Sequence, residues 1–550
     1  MAEESKRFHV ITHKNTKIPS APVDDQTPLP EHRHWTRGAP ILIRSPRFCT
    51  AAAFILAAKI VSILVLGSFC KQKMPLFMNN GTHDFQKTVI IVSIDGFRAD
   101  YLERGLTPHL LATANSGLRA QWLQPCYPVR QHPTSESRTH ISLLKVLTFP
   151  NHWSMITGLY PESHGIIANH FIDPITKSRF FYQDPAQSWN ASWWGGEPMW
   201  ETARKAGLLT ANLMWPGPPV TRDGYSASYF IPFRSDITLL QKADQIFGWL
   251  DKPFDQRPQL VNVYEPLVDE IGHTHGPDSP EMEDALSQVD SFVSRIRSGL
   301  DERNLSSIVD VLFLSDHGMA PTHDRQWIYL DDILGEDGAN DIEFRIGQPN
   351  AGLWFREGTN TTRYLEELYD AAAKPPHSFK LPDPFVFVPF KVEIPAALQN
   401  PFPLSKRFSP DRNPRIPSIW LAAELGWTFT THSEIDPWYA NGDHGYDNEH
   451  PLMRAIFIAS GPFGSRVRAK VFSERSPIPD LFDRTCPIVH IKPIVYLHDE
   501  NDESSPVMIR RFENVQVYGL VMQLLGIQQY SSQTNGTAGY WDALFDQDCV

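Results

Sequence analysis

Four short apolar runs rich in β-branched residues set the strongest limit on what this chain can fold into. They are KTVIIVSIDGF, whose strand-like part ends at Asp95, then QLVNVY (259–264), VDVLFLS (309–315) and RAIFIAS (454–460). Each reads as a buried strand. Helical stretches separate them, among them MEDALSQVDSFVSRIRSGL (282–300) and a helix opened by Thr107-Pro108 and closed by Gly117. Such alternation predicts an α/β domain with a mostly parallel central sheet flanked by helices, running from 88 to 545. Ligands of these sheets bind beyond the carboxyl ends of the strands. Asp95, Asp269 and Asp316 all follow apolar runs in that way.

Charge narrows the partners. The 550 residues carry a net charge of −13. Residues 1–47 hold eight Lys/Arg against five Asp/Glu, and Lys59 adds one more positive charge, which leaves −17 for the rest. A body so acidic is a poor grip for a nucleic-acid backbone, and no stable nucleic-acid partner is expected. Small phosphate compounds stay open, because bound cations invert the local field. The five cysteines (Cys49, Cys70, Cys126, Cys486 and Cys549) are too few for a disulfide scaffold.

Residues 48–70, FCTAAAFILAAKIVSILVLGSFC, form an apolar stretch of 23 residues with one charge, Lys59. About 20 residues suffice to cross a bilayer core. Forty-seven residues precede it, which disfavours a cleaved signal peptide. Arg33, Arg37, Arg44 and Arg47 on its N-terminal side favour that side in the cytosol. The expected organisation is a disordered cytosolic tail (1–47), one transmembrane signal anchor (48–70), a linker (71–87) and a catalytic domain (88–545). That makes a single-pass type II membrane protein with its large domain lumenal or extracellular. The sequons at Asn80, Asn190, Asn304, Asn360 and Asn535 all follow the anchor, as a glycoprotein of this topology requires.

Asp95, Asp269, His273, Asp316, His317 and His444 supply three carboxylates and three imidazoles, a complete ligand set for two zinc ions. Asp316 and His317 are adjacent, and Gly318 permits the sharp turn that would bring both to one ion. Thr148, in Thr-Phe-Pro-Asn-His, adds a hydroxyl that such ions could activate as a nucleophile. The combination points to a hydrolase of phosphate esters. Phe149, beside the hydroxyl, either stacks on a base or packs in the core, and His152 reads as structural.

VIIVSIDGFRADYL, LTFPNHWSMITGLYPESHGIIANHFIDP, GGEPMW, VDEIGHTHGP, SDHGM and GDHGYDN occur in this order. The chain thereby resembles the nucleotide pyrophosphatase/phosphodiesterase family of the alkaline phosphatase superfamily, and within it the short fungal members. The resemblance covers roughly 88–465 and again 512–527. It implies an alkaline-phosphatase-like domain with two zinc ions, one held by Asp95, Thr148, Asp316 and His317 and the other by Asp269, His273 and His444. It implies that Thr148 is transiently phosphorylated, and that Asn169 and the backbone N–H of Phe149 bind the charged phosphate oxygens. The expected substrates are nucleoside triphosphates and related diesters cut to 5′-monophosphates. Lipid or other diesters, or a catalytically impaired chain, are the alternatives.

Two stretches depart from the family pattern. Residues 129–145, VRQHPTSESRTHISLLK, interrupt the passage from Tyr-Pro into the Thr148 motif. Seventeen residues are 51 nucleotides, Val-Arg can be encoded by a splice-donor sequence and Lys by AAG, so the stretch reads as a retained intron translated in frame. The second departure is a long connection at 471–510.

Overall fold

The computed structural model describes residues 77–126, 147–372, 390–393, 413–417, 419–434, 440–473, 495–497 and 506–545. The expected tail and anchor and residues 71–76 of the linker lie outside them, as does the 129–145 insert. Among the described residues no helix is long and apolar enough to cross a membrane.

Nine strands form the main sheet: β1 Thr88–Ile94, β2 Leu118–Ala120, β3 Thr210–Leu213, β4 Tyr229–Ile231, β5 Leu260–Glu265, β6 Val309–Leu314, β7 Phe457–Ser460, β8 Val495–Leu497 and β9 Val507–Ile509. Their spatial order is β8-β9-β2-β7-β6-β1-β5-β3-β4. The sheet is mixed, with five of its eight pairings parallel and three antiparallel, so the expected mostly parallel sheet holds only in part. β6, β1, β5, β3 and β4 run parallel to one another, and β9 runs parallel to β2. β7 pairs antiparallel with both β6 and β2, and β8 antiparallel with β9. Four further strands, Ile342–Ile346, Ala351–Phe355, Ile419–Ala423 and Phe390–Glu393, make a separate antiparallel sheet.

β1 lies at the centre and is buried along its length. Side chains alternate across a strand, so Val89 and Ile91 enter one core while Ile90, Val92 and Ile94 enter the other. The first core includes helix α6, Gln516–Leu525; the second includes helices α3, Leu239–Leu250, and α5, Pro280–Asp301. Helix α1 spans Pro108–Ser116, between Thr107 and Gly117 as expected, but Thr107 does not cap it with its side chain. The carboxylate of Asp290 on α5 instead accepts the N–H groups of His109 and Leu110 at 3.1 and 2.8 Å. Two orphan donors of a helix start are thereby satisfied from a neighbouring element.

Candidate active site

Three adjacent parallel strands, β6, β1 and β5, end on one edge of the sheet, and the candidate residues gather there. Asp95 follows β1 directly. Asp316 and His317 follow β6 after Ser315, whose hydroxyl donates to the Phe97 carbonyl at 2.7 Å and so ties the two strand ends together. β5 leads into α4, Leu267–Thr274, which carries Asp269 in its first turn and His273 in its last. Gly96 has φ +67°, and a Cβ there would lie 3.0 Å from Asp269 Cα. Only glycine tolerates both the left-handed backbone and that approach.

Asp95, Asp316 and His317 form one group. His317 Nε2 lies 3.3 Å from Asp95 Oδ1 and 3.0 Å from Asp316 Oδ2. All three are fully buried or nearly so. Tyr264 donates its hydroxyl to Asp95 Oδ2 at 2.5 Å, and Gly96 N–H donates to Asp316 Oδ1 at 3.2 Å. Asp95 Oδ1 and Asp316 Oδ2 are left buried with no hydrogen-bond partner. Burial first, then the charges of Asp316 and Asp269, hold the Asp95 carboxyl well above the usual carboxylate range. Burial likewise raises Asp316. Burial and then Asp95 keep the Tyr264 phenol protonated and able to donate.

Asp269, His273 and His444 form the second group. Asp269 Oδ2 is 3.5 Å from His273 Nε2, and Asp269 Oδ1 is 3.5 Å from His444 Nε2. Asp269 Oδ1 is another buried oxygen without a partner. The His444 and His317 rings stack with centroids 3.6 Å apart, so the two groups adjoin. Metal-ligating atoms of Asp95, Asp316 and His317 lie within 4.8 Å of one another, and so do those of Asp269, His317 and His444. His273 stands beside the second set rather than inside it.

The histidine tautomers suit metal ligation. His317 Nδ1 is 2.9 Å from the Gly318 carbonyl and His273 Nδ1 is 2.9 Å from the Gly442 carbonyl. A carbonyl only accepts, so each Nδ1 carries the proton and each Nε2 keeps its lone pair for a cation. Three orphaned carboxylate oxygens and these lone pairs fit divalent cations that favour mixed oxygen and nitrogen ligands, zinc among them.

Thr148 opens helix α2, Thr148–Thr157, of which nine of the ten residues are buried. Its Oγ1 lies 3.4 Å from His317 Nε2. His152, one turn along, bonds through Nδ1 to the Thr148 carbonyl and through Nε2 to the Ser93 hydroxyl of β1, both at 2.8 Å. Burial lowers its pKa to about 3, so the imidazole is neutral, donating at Nδ1 and accepting at Nε2. His152 thus fastens the turn of Thr148 to the central strand. The Phe149 N–H is not open to solvent or ligand but donates to Asn169 Oδ1 at 3.0 Å. That bond aims the Asn169 amide, leaving its Nδ2 as the group with donors to offer. The Phe149 ring is partly buried against Tyr182 and Trp194, at 4.9 and 6.2 Å. Sequence reading missed Tyr264 and Ser93. The available signal was Tyr264's place at the end of the β5 run, beside a candidate ligand strand.

Residues 89–447 match the family described as type I phosphodiesterase / nucleotide pyrophosphatase. An uncharacterized pyrophosphatase/phosphodiesterase of Schizosaccharomyces pombe is 38% identical over 423 residues, covering 75% of this chain and 79% of that protein. Bovine ectonucleotide pyrophosphatase/phosphodiesterase family member 3 is 31% identical over 411 residues, which span 74% of this chain but 42% of the bovine protein. In structure, the chain is similar to murine ectonucleotide pyrophosphatase/phosphodiesterase 5, with TM-score 0.61 and 23% identity, over 82% of this chain and 97% of that one. An inactive threonine-to-alanine form of the murine protein has been solved in complex with AMP.

Proposed function

The chain belongs to the type I phosphodiesterase / nucleotide pyrophosphatase family, and from that premise we propose that it is a zinc-dependent hydrolase cutting nucleoside triphosphates and related nucleotide diesters to 5′-monophosphates. The observation that carries the reading is the set of three buried, unpartnered carboxylate oxygens beside the Thr148 hydroxyl. Asp95, Asp316 and His317, with Thr148, would hold one zinc ion, and Asp269, His273 and His444 a second. Such ions supply positive charge that acidifies a hydroxyl or a water and stabilises a leaving oxygen.

The chain's own groups have separable tasks. Thr148 Oγ1 forms a bond to phosphorus as the bond to the leaving alcohol or pyrophosphate breaks. The resulting nucleotidyl-threonine, a phosphodiester that keeps the nucleoside, is hydrolysed by water, which returns the Thr148 hydroxyl and frees the 5′-monophosphate. Asn169 Nδ2 donates to a non-bridging phosphate oxygen. The N-terminus of α2 faces the same phosphate, and its dipole favours negative charge there. His152 holds the Thr148 carbonyl and thereby the rotation of the first helical turn. Phe149 and Tyr182, 4.9 Å apart, offer aromatic surface beside the phosphate site for a base.

We place the catalytic domain outside the cytosol, anchored by residues 48–70. Asn190, Asn304 and Asn360 are exposed in the folded domain, as glycan attachment requires. A mobility shift on treatment with an N-glycosidase tests this, and its absence from membrane-derived protein counts against it.

The decisive assay uses p-nitrophenyl thymidine 5′-monophosphate, ATP and p-nitrophenylphosphorylcholine side by side, with Thr148→Ala as control and zinc measured by mass spectrometry. The reading expects release from the two nucleotide compounds, two zinc ions per chain, and a loss of at least about a thousandfold in Thr148→Ala. Turnover of the choline ester alone moves the substrate class to lipids. Undiminished turnover by Thr148→Ala overturns the mechanism.

A further inference from the structure

Arg415 lies about 265 residues beyond the Thr148 motif, in the short segment 413–417, and no motif surrounds it. Its guanidinium nevertheless makes one of the densest polar clusters of the domain. Nε donates to Asp173 Oδ2 at 2.9 Å, and Nη1 donates to the Gly165 carbonyl at 3.1 Å and to the Trp193 carbonyl at 2.9 Å. Nη2 reaches the Ser192 carbonyl at 3.4 Å, and the guanidinium carbon sits 4.8 Å from the centre of the Trp193 ring. The Arg415 and Asp173 side chains are only 14% and 10% exposed. A pair this sheltered is worth more than a surface ion pair.

The contacts fall on two loops that each bond to α2, one through Asn169 and Phe149 and the other through Gly195 and Trp153. Gly165 and Asp173 bracket the loop that carries Asn169. Ser192 and Trp193 begin the second, which continues through Trp194 to Gly195. Gly195 N–H donates to the His164 carbonyl at 2.8 Å, and its own carbonyl accepts from Trp153 on α2 at 2.8 Å. Asp173 also works at the far end of the first loop, where Oδ1 accepts the N–H groups of Ile175 and Thr176. Gly165, at φ +82°, has no side chain where the guanidinium lies: a Cβ there would come within 2.8 Å of Nη1. The loop is therefore shaped around this cation. Asn169 itself holds the Phe149 N–H, so anything that fixes the loop fixes the donor geometry at the nucleophile.

We propose that Arg415 is a positioning residue for phosphoryl transfer, clamping the 165–173 and 192–195 loops so that the Asn169 amide meets the phosphate. The proposal rests on the role given to Asn169 above. It assigns Arg415 no contact with substrate. A shift of about 1 Å in a reacting or stabilising group can cost about a hundredfold in rate, and five directed contacts to two loops are suited to prevent one.

The test compares the full-length protein with Arg415→Ala, Arg415→Lys, Asn169→Ala and the Arg415→Ala/Asn169→Ala double variant. Arg415→Ala should lower kcat about 10- to 100-fold with KM changed less than about threefold, because substrate contacts remain. The effect should nearly vanish in the Asn169→Ala background, since the two residues act as one unit. Arg415→Lys should recover part of the rate, because an ammonium reaches some of these acceptors but cannot span both loops. Deuterium uptake over 165–173 should rise in Arg415→Ala while uptake over β1, β5 and β6 stays unchanged. Additive losses in the double variant overturn the proposal, and so does unchanged uptake in the loop. Should Arg415→Ala fail to fold, Arg415→Lys and Asp173→Asn carry the same comparison. A wild-type protein inactive on every nucleotide refutes the proposed function, while the uptake experiment still decides whether Arg415 holds the loop.

Discussion

Asp95, Asp316 and His317 hang from the ends of paired strands, and their side chains are at most 1% exposed. Asp269 and His273 ride on an eight-residue helix, with side chains 15% and 24% exposed. The first group inherits its spacing from the hydrogen-bonded ladder of β1 and β6. The second depends on how α4 packs against the 442–445 turn, to which it is joined by the His273 bond to the Gly442 carbonyl. Two candidate ligand sets with similar chemistry thus have different mechanical supports. A strand-held set keeps its geometry without a cation but stores uncompensated carboxylates in a dry place. A helix-held set carries less of that burden and has a freer route to solvent.

This contrast is broken or sharpened most strongly by removing one ligand from each side. Asp316→Ala should abolish activity to the limit of detection, a loss of at least about a thousandfold, and should release the ion of the strand-held group. His273→Ala should cost about a hundredfold and be partly restored by excess zinc, since its site stays open to refilling. Activity and zinc content at graded free zinc check both. Under a chelator at limiting concentration the helix-held ion should leave first. Native mass spectrometry reads that order, and the reverse order undoes the comparison.

Tyr264→Phe is the next smaller step. It keeps the aromatic body and deletes only the hydrogen bond to Asp95 Oδ2. Partners of this kind, one bond behind a ligand, are worth about 10- to 100-fold in metal affinity or activity. The loss should fall on the strand-held ion and leave the other in place.

Stability against pH separates the groups again. In chelated protein the folded Asp95 and Asp316 carboxyls hold their protons above the unfolded value, Asp95 through burial and then the charges of Asp316 and Asp269, Asp316 through burial and then the charge of Asp269. Their contribution to stability is therefore fully present below the unfolded pKa of about 4 and is lost as pH rises toward the folded values. Melting temperatures of the chelated protein should fall between about pH 4 and neutrality. Asp95→Asn should flatten that fall, while zinc-loaded protein, whose carboxylates are ionised and compensated, should not show it. A chelated wild type whose melting temperature rises over this range contradicts the assignment.

Much of this architecture was legible in the residues. The runs at 88–94, 259–264 and 309–315 are strands within a residue or so, and Asp95 and Asp316 sit at strand ends as their position after apolar runs implies. Strand direction was not legible. The run before Ser460 looks like the others, but it pairs antiparallel with both of its neighbours. Gly318 was read for the right place and the wrong reason. It takes no left-handed φ; a side chain there would collide with the Leu452 carbonyl. Tyr264, Ser93 and Arg415 were missed because each acts through an element distant in sequence, and only the packed structure makes them neighbours.

The smallest expected effect concerns the 129–145 insert, which ends three residues before Thr148, the proposed nucleophile. The described residues on either side of it meet at Asn151 of α2. The Cys126 N–H donates to Asn151 Oδ1 at 2.7 Å, and Asn151 Nδ2 donates to the Leu147 carbonyl at 3.0 Å. Asn514 Nδ2 donates to the same Oδ1 at 2.8 Å, and Asn448 holds the Pro125 carbonyl at 2.9 Å. Both flanks are therefore fixed by contacts that owe nothing to the residues between them. With 129–145 deleted, Tyr127, Pro128 and Val146 remain to join Cys126 to Leu147, a reach of about 13 Å at 3.3 Å per step. Shortening a loop changes its closure entropy only slowly, by about 0.6 kcal/mol per halving. The deletion should thus leave kcat/KM within about threefold and raise the melting temperature slightly. Loss of activity in a deletion variant that still binds zinc and folds would instead make the insert part of the site, and a transcript pool that always carries its codons would make it a genuine part of the protein.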